Sequence, residues 1–139
     1  MYAYLDQPVD VLAPADRLLL DGLRTWALAR ALGRDTLGAV TARGPALNET
    51  GAAESLDDAM TLLDESGTGP LELQRPCHDR VEEDEAVLLA ITALARDGEI
   101  AAAQTAIGHL ASHEAAKPIA LLLSDAARRL GEATMTVRR

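Results

Sequence analysis

The sequence predicts an all-α fold, an irregular antiparallel bundle of about five helices in a single domain. Three observations predict it. Fifty of the 139 residues are alanine or leucine, both strong helix formers, and there is no phenylalanine. Apolar residues recur at the i, i+3, i+4, i+7 spacing of a helix face in the long segments. Pro14, Gly33, Gly67, Pro70, Gly98, Pro118 and Gly131 punctuate the ends of those segments. Leu71-Glu72-Leu73 does alternate, but three residues do not argue a sheet.

Residues 1–13 contain Pro8 and read as irregular. Pro14 suits the first turn of a helix, where its missing N–H costs nothing. That helix runs from about Ala15 to Leu32 and stops at Gly33. At 100° per residue, Leu18, Leu19, Leu23, Trp26, Ala27 and Ala29 cover one broad side. Arg17, Asp21, Arg24 and Thr25 fall on a narrow strip opposite. So wide an apolar arc implies more than one packing neighbour. Residues 34–47 stay undecided, although Asp35 could cap a short helix through Val40, ended by Gly44 and Pro45. A second long helix opens at Asn48 or Thr50, turns Leu56, Ala59, Met60 and Leu63 inward, and ends at Gly67, Gly69 and Pro70. Residues 66–81 read as a connector that crosses the domain.

Glu82 to Glu85 place acids at a helix N-terminus, where they favour the dipole. Val87, Leu88, Ile91, Leu94 and Ala95 share the face of that helix, and Asp97-Gly98 breaks it. Ile100, Ala103, Ile107 and Leu110 form the face of the next. Pro118 is expected to start the last helix, with Ile119, Leu122, Leu123, Ala126 and Leu130 inward. Gly131 is expected to close it, leaving 132–139 as a C-terminal tail. The short links imply antiparallel neighbours. The hairpin from Asp84 to Ser112 has the length of one two-helix repeat, but the first half does not repeat it, so no array is implied.

Net charge is −9, and residues 48–85 hold twelve acids against Arg75 and Arg80. Such a chain repels nucleic-acid phosphates and anionic lipid, so neither is expected as a partner. No run of ~18 apolar residues suggests a membrane span. The segment MYAYLDQPVD lacks the basic and apolar regions of a secretory signal. Cys77 is the single cysteine, which fits a reducing cytoplasm. Lys117 is the single lysine among thirteen cations; with the alanine content this suggests GC-rich bacterial coding.

Several groups are candidates for chemistry. His109 and His113, four apart, would share one side of a helix, as metal-binding pairs do, yet they lie opposite its apolar face with no third ligand in sequence. Cys77-His78-Asp79 concentrates nucleophile-type residues before a helix start, although the acids that follow oppose thiol ionisation. Arg30 falls between Leu19 and Leu23 on the wheel, inside the apolar arc. There it needs a carboxylate, a carbonyl or an anionic ligand, or must reach out past the helix end. Asp57 and Asp58 are carboxylates it could meet. Gly67-Thr68-Gly69-Pro70 lacks the spacing and lysine of a phosphate loop, and no cofactor is expected.

Four leucines do not fit the inward faces: Leu28 and Leu32 on the first helix, Leu89, and Leu121 on the last. Such a set implies either helices covered on all sides or an exposed association surface. The functional expectation is a non-enzymatic interaction module, most simply a homodimer or a partner-docking bundle. The alternatives are a small-molecule or metal-binding bundle that uses Arg30, His78, Cys77 or the histidine pair, and an acidic regulator of a basic partner.

Overall fold

A computed structural model describes residues 3–137, with side chains through Thr134. Seven α-helices follow one 3₁₀ turn (Val9–Val11): α1 (Pro14–Ala31), α2 (Thr36–Thr41), α3 (Pro45–Asn48), α4 (Ala52–Ser66), α5 (Glu83–Arg96), α6 (Ile100–Ile107) and α7 (His113–Val137). No named strand occurs among the described residues. The fold is all-α, and the helix count exceeds five because residues 34–48 form two short helices rather than a loop.

The breakers act as their chemistry dictates. Pro14 occupies the first turn of α1. Gly33 ends it with φ +69°, and the amides of Gly33 and Arg34 donate back to the carbonyls of Arg30 and Ala29. That reverse turn closes the orphan carbonyls and favours a residue without a Cβ. Gly98 repeats the device after α5 at φ +85°, with Glu99 N–H donating to Leu94. At the start of α5, Glu82 and Glu85 form a reciprocal capping box.

Two sequence expectations fail in α7. Pro118 lies inside the helix, which already begins at His113. One missing N–H near the start is tolerated because Ala116 gains a place in the core, at 1% exposure. Gly131 does not end the helix or begin a tail at 132; α7 continues to Val137. Gly131 is not among the positive-φ residues, and Leu130 beside it is fully buried.

α7 packs against α1, α3, α4, α5 and α6, so one hydrophobic core joins both halves of the chain. α1 touches α2, α3, α4, α5 and α7. This enclosure corrects the wheel-based reading. Arg24 and Thr25, assigned to a polar strip, are buried, as are Leu20 and Gly22. Leu89, assigned outward, is fully buried, because α5 is covered by α1, α6 and α7. No helix among the described residues is long and apolar enough to cross a membrane.

Candidate functional site

The segment between α4 and α5 contains no helix, yet it is tied down. Arg24 donates from Nε to Glu85 Oε2 (2.7 Å) and from Nη2 to Glu85 Oε1 (2.8 Å). Its Nη1 donates to the His78 carbonyl and Nη2 also to the Arg80 carbonyl, both at 2.7 Å. Glu85 in turn accepts the amides of Gln74 and Glu82. Burial alone would raise the Glu85 pKa. The Arg24 hydrogen bond, the two amides and the Arg24 charge outweigh it and hold the carboxyl below its ordinary range. The N-terminal segment joins the same knot: Asp6 N–H donates to Val81, Val81 N–H to Gln7, and Val9 N–H to Asp79. Sequence reading placed the buried arginine at position 30. The available signal was Leu20 and Leu28, which stand one turn before and after Arg24 and flank it on the wheel.

Arg30 lies outside the core. Its Nε donates to Asp64 Oδ2 at 3.1 Å, and the two side chains are 60% and 45% exposed. Asp57, weighed as its partner, instead accepts Trp26 Nε1 (2.9 Å) and the Thr36 hydroxyl (2.7 Å). The Arg30–Asp64 pair borders a cleft of about 640 Å³ between α1, α4 and the connector. Trp26, Met60, Leu63, Leu71 and Leu73 line its walls. Around α1 from this cleft, Ala27, Leu28, Ala31, Leu71 and Leu73 border a second, shallower depression. Leu28 and Leu32 stand one turn apart at 41% and 56% exposure. Leu121 is 49% exposed on α7, a separate element.

The remaining candidates do not assemble. Cys77 is exposed. The His78 ring meets Glu82 Oε1 through Nε2 at 2.8 Å, so Glu82 engages it at the start of α5. His109 lies in the turn after α6 and His113 opens α7, so the pair shares no helix face. Among the described residues no group of three or more His, Cys, Asp or Glu side chains is arranged to hold a metal ion. No known protein family, curated protein or solved structure matches this chain.

Proposed function

We propose that this protein is a non-enzymatic interaction module that self-associates through the C-terminal half of α1. One observation carries the reading: Leu28 and Leu32 are exposed on one helical face beside a concavity edged by Ala27, Ala31, Leu71 and Leu73. A ridge of leucine beside a hollow that has an apolar side (Ala27, Ala31, Leu71, Leu73) and a polar rim (Glu72, Gln74, Arg75) suits a two-fold contact, in which each copy's ridge enters the other's hollow. An acidic-regulator role has less support. Five of the twelve acids in 48–85 (Asp57, Asp64, Glu82, Asp84 and Glu85) already serve contacts within the chain.

Sedimentation velocity on Leu28→Glu/Leu32→Glu and, separately, on Leu121→Glu tests the proposal. The α1 double variant is expected to dissociate while circular dichroism stays unchanged. The α7 variant is expected to associate like the wild type. An unchanged assembly in the α1 variant, or loss of assembly in Leu121→Glu alone, would place the interface elsewhere.

A further inference from the structure

The cleft beside α1 and α4 carries an inference independent of self-association. Its rim holds one cation and one anion joined by a single hydrogen bond, Arg30 Nε to Asp64 Oδ2. Among the described residues no further polar contact engages either side chain. Both Nη groups of Arg30 and Oδ1 of Asp64 are therefore left without a partner among the described residues. An exposed ion pair of this kind contributes little to stability, so a ligand can insert between its charges at small cost. Behind it Trp26, Met60, Leu63, Leu71 and Leu73 supply an apolar stretch of wall, and the turn Gly67-Thr68-Gly69-Pro70 completes the lining. The indole is held in place by its hydrogen bond to Asp57, so the wall is preformed. The volume falls in the range that small-molecule sites occupy.

We propose that this cleft binds a free α-amino acid with an apolar side chain. The carboxylate would lie on the Arg30 guanidinium, a fork suited to two-point contact, and the ammonium on Asp64. The side chain would point at Trp26, Met60 and Leu71. The charge pattern selects this class. A ligand with a lone carboxylate leaves Asp64 facing it, and a lone amine leaves Arg30 facing it. A zwitterion whose two charges are separated by one carbon answers both at once. Glycine has the charges and lacks the apolar payload, so it would bind weakly.

Trp26 is the chain's single tryptophan and lines the cleft, so its fluorescence reports occupancy directly. The experiment is a fluorescence titration with L-leucine and L-phenylalanine, compared with glycine, 3-phenylpropanoate and phenethylamine. Saturable binding is expected for the two apolar amino acids. Affinity should fall about tenfold or more when either charge is missing from the ligand, or in Arg30→Gln and Asp64→Asn. Both variants should keep the wild-type melting temperature, because the pair is exposed. Three results would overturn the proposal: no saturable response to either apolar amino acid, equal affinity for the single-charge analogues, or affinity unchanged in Arg30→Gln. Because Leu28→Glu/Leu32→Glu leaves these contacts in place, it should bind as the wild type does, whatever its oligomeric state.

Discussion

Arg24 and Glu85, 61 residues apart in sequence, meet through two parallel hydrogen bonds with side chains 1% and 0% exposed. The pair fastens α1 to the start of α5 and holds the connector through two backbone carbonyls. Removing one partner leaves a buried charge uncompensated. Arg24→Met and Glu85→Gln are each expected to destabilise by about 3–5 kcal/mol in urea unfolding. The double variant Arg24→Met/Glu85→Gln should lose clearly less than the sum of the single losses, since it buries no charge. Strict additivity would mean that the two residues act independently.

The same pair gives the protein an acid limit. The folded-state pKa of Glu85 lies below its ordinary value, so its contribution is complete above the unfolded carboxylate pKa. It is lost as pH falls through the lower folded value. Asp125 acts in the same direction: the Ser55 hydroxyl lowers its pKa, burial opposes, and Arg129 and Arg128 add to the lowering. Unfolding free energy should therefore fall as pH drops below about 4.5. Glu85→Gln should flatten that slope, and an unchanged slope would assign the acid sensitivity to other groups.

Two helical glycines should respond oppositely to alanine. A Cβ on Gly22 would come within 2.7 Å of the Leu56 side chain, which is fully buried where α1 meets α4. Overpacking there is expected to cost about 1–3 kcal/mol, more than the helix propensity gained. A Cβ on Gly131 meets nothing within 4 Å. Gly131→Ala should stabilise by about 0.5–1 kcal/mol by favouring the continuous α7 helix. Thermal unfolding of the two variants checks both signs.

Thr25 carries a buried hydroxyl without a hydrogen-bond partner. Thr25→Val keeps the shape and removes the unsatisfied group. It should raise stability by about 1 kcal/mol in urea unfolding. A loss of that size would reveal a partner for the hydroxyl.

The long helices were legible because leucine spacing and the Gly33, Gly67 and Gly98 breaks report local geometry directly. Faces of enclosed helices were not. A wheel ranks directions around one axis, and it cannot know that α1 and α5 are covered from several sides. Arg24 and Leu89 were therefore turned outward, and Arg30 was given the burial that belongs to Arg24. That Arg30 would meet a carboxylate, a carbonyl or an anionic ligand, or reach out past the helix end, was readable from its type and position, and the structure has it reach out to a carboxylate. That the carboxylate is Asp64 depends on how α4 crosses α1, which no local pattern encodes. Pro118 misled because proline marks helix starts on average, whereas here core burial of Ala116 extends the helix ahead of it.

Native mass spectrometry of the purified wild-type protein tests self-association most directly. A predominant dimer, converted to monomer by Leu28→Glu/Leu32→Glu, is the expected result. A wild-type monomer across the micromolar range would contradict the proposed interface.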